Sequence, residues 1–386
     1  MKTAVAATRA TDSAAAGKDL GEQVRQTLGR APAAIILFAA PHYDHKTLLG
    51  ALRESCDGCV VVGASSAGEF TNELQGDGLA CVLALGNDGA EFRAVVGRGV
   101  QADPEGAARQ LAAGLTGLSD LRPVNRAALV MTDALAGHAD ILVDELTLAT
   151  AGQYRFFGGG AGDNAQFQRT TVFCGDEVLT DAVVALEILS DKPIGVGVSH
   201  GWEPASAAFR VTDADGMRLI GLNGLPAVEA LQAHAEETGQ TLETSAPIPF
   251  FLHNILGIET PAGHRLRVPL AVEADGSVLC AAEVPVGSVV RVMRSSHEST
   301  VEAAQLATDA ALAALGGHRP GAALFFDCVA TRLRMGEGFG SEVAAVKARL
   351  GGIDLAGCNT HGQIARAEGQ FQGFHNCTAV VCVLPE

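Results

Sequence analysis

Side chains able to do chemistry gather in a few glycine-rich stretches of this 386-residue chain. In Gly63-Ala64-Ser65-Ser66-Ala67-Gly68-Glu69 and Gly357-Cys358-Asn359-Thr360-His361-Gly362-Gln363, polar groups lie between glycines that let the backbone approach a ligand closely. Ser65, Ser66, Glu69, Asn359, Thr360 and Gln363 would suit a small polar ligand. Equally, Ser, Thr and Asn side chains bond nearby backbone amides in turns, so the same residues can be turn chemistry. Gly158-Gly159-Gly160-Ala161-Gly162-Asp163 could cradle a phosphate. Arg169 to Phe173 reads as a strand, however, so the amide-rich helix start of a dinucleotide site is missing.

Histidine and cysteine supply the other options. His200 ends the apolar run from Ile194 and precedes Gly201, which permits close approach of a flat ligand, and Trp202, the only tryptophan. A neutral imidazole there could ligate a metal, or could hydrogen-bond a carbonyl at a strand end. His361, inside a glycine loop, is the second choice; His375 precedes a buried strand and reads as structural. His42-Tyr43-Asp44-His45 with Cys56-Asp57-Gly58-Cys59 has the ligand count of a zinc site, but a helix and its turn separate the two pairs. Cys328 beside Asp327 at a strand end, with Arg332 four residues on, resembles a nucleophile whose thiol a cation could acidify.

The elements that must position these groups recur. Ala33 to Phe38, a helix over Lys46 to Glu54, Val60 to Val62, the first glycine loop and Leu79 to Leu85 form one unit. Ala127 to Met131, a helix over Asp140 to Ala149, Tyr154 to Phe157, the second loop and Ala182 to Leu189 form another. Ala322 to Phe326, a helix over Ser341 to Leu350, Ile353 to Leu355, the third loop and Thr378 to Leu384 form the last. The first and third loops match as Gly-x-(Ser/Asn)-(Ser/Thr)-x-Gly-(Glu/Gln). Such duplication predicts an α/β architecture of repeated strand-helix-strand units with glycine-rich loops on one rim and a shared core. Between the second and third units, Leu266 to Val272 and Val278 to Cys280 flank Asp275-Gly276, a hairpin signal. The expected division is an N-terminal lead and helix over 1–30, with Asp12 as cap for the Leu20, Val24, Leu28 face, then domains over 31–220 and 221–386.

Composition narrows the function. With 27 Lys+Arg against 44 Asp+Glu, the formal charge of -17 repels polyanions, so nucleic acid is excluded as a partner. At 48% hydrophobic and 18% charged, the chain has the means to bury cores. Met1 to Thr11 lacks the apolar run of a secretory signal, and no stretch is long and apolar enough to insert in a membrane. A cytoplasmic protein is expected, with its nine cysteines mostly reduced and buried.

The order of these motifs resembles the FIST family. Val61 to Glu69, Gly158 to Asp163, His200-Gly201-Trp202-Glu203-Pro204 and Leu225-Pro226-Ala227 look like the FIST N-terminal domain. Ala323 to Cys328 with Arg332, Gly357 to Ile364 and Phe374-His375-Asn376 look like its C-terminal partner. The resemblance implies a non-catalytic intracellular sensor within a bacterial signalling system. Its NosP-type members imply haem b as cofactor, nitric oxide as ligand and a histidine kinase as partner. His200 would then be the iron ligand, with Gly201, Trp202 and His361 around the haem. Gln363 departs from the family's usual Gly-Glu ending. Two further readings stand beside this one: a sensor for a small polar metabolite such as an amino acid, held by the serine and asparagine loops, and a cysteine-dependent hydrolase or transferase using Cys328.

Overall fold

The computed structural model describes residues 1–386 except 121, 123 and 367–371. Its three units run strand, helix, strand, helix, strand, loop, hairpin, return strand. The first comprises Thr3–Thr8, Ser13–Leu28, Ala34–Ala39, His45–Ser55, Val60–Ser65, the hairpin Glu69–Thr71 with Gln75–Gly76, and Ala80–Leu85. The second repeats this from Ala90–Arg98 to Ala182–Ser190, the third from Gly195–Ser199 to Ala379–Pro385. Local chemistry sets the helix ends. Asp12 accepts from the Ala15 amide to cap Ser13–Leu28, and Gly29 ends it in the left-handed region at φ 69°. Asp44 and Asp103 cap their helices in the same way.

Thr3–Thr8 is an edge strand paired antiparallel with Ala80–Leu85, where the sequence reading has a lead without strand structure. Its alternating burial, with Ala4 and Ala6 inward, is carried by alanines, whose small side chains give a weak period-2 signal. Likewise Gly195–Ser199, read as part of the connecting region, is the equivalent first strand of the third unit.

The hairpins exchange between units in a closed cycle. That of the first unit pairs with Asp354–Thr360 of the third, through Cys358 opposite Glu69. That of the third pairs with Arg155–Gly160 of the second, and that of the second with Val60–Ser65 of the first. Two of the three resulting six-stranded sheets draw strands from both sides of residue 220, so the expected split into 31–220 and 221–386 divides the chain but not the sheets. The inner faces meet in one core containing Ile36, Phe38, Leu129, Met131, Leu324 and Phe326, with the rings of Phe38 and Phe326 edge to face at 5.6 Å. Helices cover the outer faces, and burial on both faces explains the unbroken apolar runs of the strands.

Between its first strand and its helix His297–Ala313, the third unit carries an inserted sheet spanning Trp202–Pro204 to Val289–Ser295. This insertion has its own core around Leu219, Leu231, Phe251 and Val292. The expected hairpin is present, with Val272 opposite Val278.

Candidate functional site

The three glycine loops meet, as the repeat predicts. Their first glycines are required by close backbone packing: a Cβ at Gly63, Gly158 or Gly357 would lie 1.8, 2.1 or 2.2 Å from the carbonyl oxygen of Leu37, Val130 or Phe325. Three equivalent hydrogen bonds then close a ring. The Ala67 amide donates to Asn359 O at 2.9 Å, the His361 amide to Gly160 O at 3.0 Å, and the Gly162 amide to Ser65 O at 2.8 Å.

Most polar side chains of the ring serve the ring itself, where the sequence reading has them facing a ligand. Ser65 Oγ accepts from the Thr171 amide at 3.0 Å, and Ser66 Oγ donates to Glu69 at 2.5 Å. The other Glu69 oxygen accepts from the amides of Gly78 and Leu79, while burial pushes its carboxyl up to about 7. Thr360 Oγ1 donates to Asp327 O and accepts from Gln363 Nε2 at 2.9 Å, and Gln363 Oε1 accepts from the Thr378 amide. Asn359 is buried and presses against Gly68. Apart from Asn359, whose Nδ2 has no hydrogen-bond partner, these groups satisfy buried backbone that would otherwise be costly to desolvate.

His200 does not present a ligating nitrogen. Its Nε2 lies 2.9 Å from the His264 carbonyl oxygen, and its Nδ1 accepts from the Trp202 amide at 3.3 Å. Gly201 is small because the Ser299 carbonyl passes where its Cβ would be, 2.2 Å away, rather than to admit a flat ligand. Trp202 is buried in a cluster with Leu266, Met293, Cys328 and Cys377, beneath the Arg334 guanidinium. Haem therefore does not fit here: the imidazole chosen as iron ligand already has both nitrogens engaged in a packed region.

The zinc option fails on distance. His45 holds Thr171 and the Ala40 carbonyl at one end of an eleven-residue helix, roughly 16 Å long, and Cys56 and Cys59 lie past the other. Among the described residues, no three His, Cys, Asp or Glu side chains are grouped to hold a metal ion. Arg332 stands beside Gly68 and Glu69, not as the cation acidifying Cys328.

A cavity of about 190 Å³ opens where three parts of the molecule join. The turn Ala134 to Asp140 comes from the second unit, Leu279 to Glu283 from the inserted sheet, and Cys328 to Ala330 with His361 from the third unit. Arg267, 1% exposed, clamps the junction: it donates to Asp140 Oδ1 at 2.7 Å and to the carbonyls of Glu283 and Phe374. An arginine in the apolar run from Leu266 was the sequence signal for this clamp.

His361 joins His138, Asp140 and Glu283 as a polar side chain of the wall. Its side chain is 6% exposed, its ring packs on Phe167 at 5.0 Å, and neither ring nitrogen has a hydrogen-bond partner. Nε2 is 3.5 Å from Asp163 Oδ1, but burial outweighs that carboxylate and lowers the imidazole to about 4, so the ring is neutral at pH 7. Asp163 meanwhile accepts from the amides of Phe167, Gln168 and Arg169, which fixes the lip that carries Phe167.

Cys328, 3% exposed, also lines this cavity. Its thiol is held down to about 6, first by the hydrogen bond from the Cys377 thiol and then by the amides of Cys377 and Ala330 and by Gln363, against the opposing effect of burial. Behind it, Asp327 and Glu342 form a buried carboxyl pair, both raised by burial. Sequence reasoning found Cys328 but not Cys377, which lies 49 positions away in the bend before the return strand Ala379–Pro385.

The FIST N domain matches residues 33–225 and the FIST C domain residues 227–366. The chain is 24% identical to an uncharacterized Mycobacterium tuberculosis protein, Rv0628c, over 98% of each chain, and 26% identical to Mb0898c of Mycobacterium bovis over 54% of this chain and 55% of that one. The crystal structure of cyanuric acid hydrolase from A. caulinodans aligns over 98% of each chain at a TM-score of 0.35 and 9% identity, too loose a likeness to carry an argument. FIST domains are in general sensors associated with signalling. No helix among the described residues is long and apolar enough to cross a membrane. With both domain models matched in order across most of its length, the chain belongs to the FIST family.

Proposed function

We propose that this protein is a sensor whose ligand site is the cavity at the junction of the second unit, the third unit and the inserted sheet. The observation that supports it most is His361, buried against the cavity with both nitrogens unpartnered in an otherwise mainly apolar wall. Such a group costs about 1–3 kcal/mol, which a bound hydrogen-bonding ligand relieves. The volume is similar to that of an engineered cavity of about 150 Å³ that binds benzene. The ligand is accordingly a small uncharged molecule with one ring or a short alkyl body and a single hydrogen-bonding group. An amino acid suits the site less, because the described residues that line the cavity include no lysine or arginine to meet its carboxylate. Binding would tighten the inserted sheet against the units, and a signalling partner, a histidine kinase on the family resemblance, would respond to that movement.

Screening uncharged monocyclic compounds by thermal shift tests this reading. A binder at a hundredfold its Kd should stabilise the protein by about 2.7 kcal/mol. The effect should vanish in Ala282→Phe, which fills the cavity. A response confined to charged amino acids, or unchanged in that variant, would overturn the reading.

A further inference from the structure

A second chemistry stands at the same cavity and does not require the ligand reading. Cys328 and Cys377 belong to one buried cluster, yet Cys328 also borders the cavity, so a small molecule entering there meets its sulfur. Gln363 ties their backbones together, donating from Nε2 to Thr360, which lies opposite Cys328 in the ladder, and accepting at Oε1 from the Thr378 amide next to Cys377. Cys377 itself holds φ 49°, a left-handed conformation that costs a residue other than glycine roughly 1–2 kcal/mol. Two sulfurs thus share one buried cluster at the edge of a space of molecular size.

We propose that Cys328 and Cys377 form a reactive dithiol that reduces small organic hydroperoxides admitted through the apolar cavity. The Cys328 thiolate attacks the terminal hydroperoxide oxygen; the S–O bond forms, the O–O bond breaks, and the departing alkoxide takes a proton to leave as an alcohol. The Cys377 sulfur then attacks Cys328 Sγ; the S–S bond forms, the S–O bond breaks, and hydroxide leaves with the thiol proton as water. Two thiols lose two electrons and the hydroperoxide gains them. An external dithiol reductant restores the pair by exchange. The amides of Cys377 and Ala330 stabilise the attacking thiolate.

Other cysteines serve as internal controls. Cys280 lines the same cavity, but burial pushes its thiol up to about 12. Cys56 and Cys59 also form a hydrogen-bonded pair, at the far end of a helix and away from the cavity.

The test treats the reduced native protein with one equivalent of cumene hydroperoxide, then maps its thiols and disulfides by mass spectrometry. The expected product has lost two hydrogen atoms and carries a Cys328–Cys377 disulfide, which dithiothreitol reverses. Trp202, in the same cluster, should report the reaction as a drop in its fluorescence. Cys377→Ser should stall at a Cys328 sulfenic acid trapped by dimedone, and Cys328→Ser should leave Cys377 reduced. Since the first measurement needs no variant, a folding defect in either cannot hide the answer. Cys328 remaining a thiol while the protein stays folded, or oxidation confined to Cys56 and Cys59, would overturn the proposal. Disulfide formation without binding of uncharged compounds would retain it and discard the ligand reading; binding without oxidation would do the reverse.

Discussion

The first and third glycine loops share a motif and a backbone, yet only the third borders the cavity. Gly63 and Gly357 make the same close approach to the neighbouring strand, and the Ala67 and His361 amides make equivalent bonds in the ring. Strand registers pair Ala39 with Ser65 and Asp327 with Asn359, so Ala40 and Cys328 follow at equivalent places. The first unit thus has alanine where the third has His361 and Cys328, and only residues 9–12 where the third has the inserted sheet. The second unit contributes Asp163 and the lip carrying Phe167. Duplication supplied a stable ring of backbone contacts; reactive side chains stand where the insertion covers it.

The largest expected effect breaks what the loops share. Gly357→Ala puts a Cβ against the Phe325 carbonyl and the Phe70 ring, and should cost about 3 kcal/mol or more in urea unfolding, as should Gly63→Ala. Similar losses in both would confirm their equivalence; a neutral Gly357→Ala would break it.

Next in size is the contrast between Glu69 and Gln363. Glu69 titrates at about 7 in the fold against an ordinary value near 4.5, so the folded state binds its proton more tightly than the unfolded state. Its contribution is fully present below about pH 4.5 and is lost as pH rises to about 7. Glu69→Gln should remove about 3 kcal/mol of that decline, read from denaturant unfolding at pH 5 and pH 8. An unaltered pH dependence would contradict the buried carboxyl. The raised Asp327 and Glu342 pair slopes the same way and remains in the variant.

At position 363 the neutral amide has a reason: it bonds to Thr360 and donates toward the Cys328 sulfur. A glutamate, as in the first loop, would place negative charge beside a thiolate. Gln363→Glu should therefore raise the Cys328 thiol pKa and slow its alkylation by iodoacetamide at pH 5, below the thiol's value of about 6, about tenfold for one pKa unit. Equal alkylation rates would separate Gln363 from the thiolate.

Much of this arrangement was legible in the chain. The three units, the alignment of the first and third loops, the Asp12 cap and the Asp275-Gly276 hairpin all follow from local periodicity and turn chemistry. The hairpin exchange does not, because register between distant strands leaves no trace in either strand's own pattern. The site was half legible. His361 and Cys328 were singled out, but His200 ranked higher because its glycine and tryptophan neighbours suggested a ligand pocket. The contacts that use up its nitrogens come partly from His264, across the inserted sheet. Cys377, Arg267 and Phe167 reach the cavity region only through tertiary contacts of the same kind.

Calorimetric titration with phenol, which combines one ring with one hydrogen-bonding group, tests the cavity most directly. One molecule should bind per chain of the reduced protein, and none to Ala282→Phe with its melting transition intact. Equal binding to both proteins, or binding to neither, would contradict it.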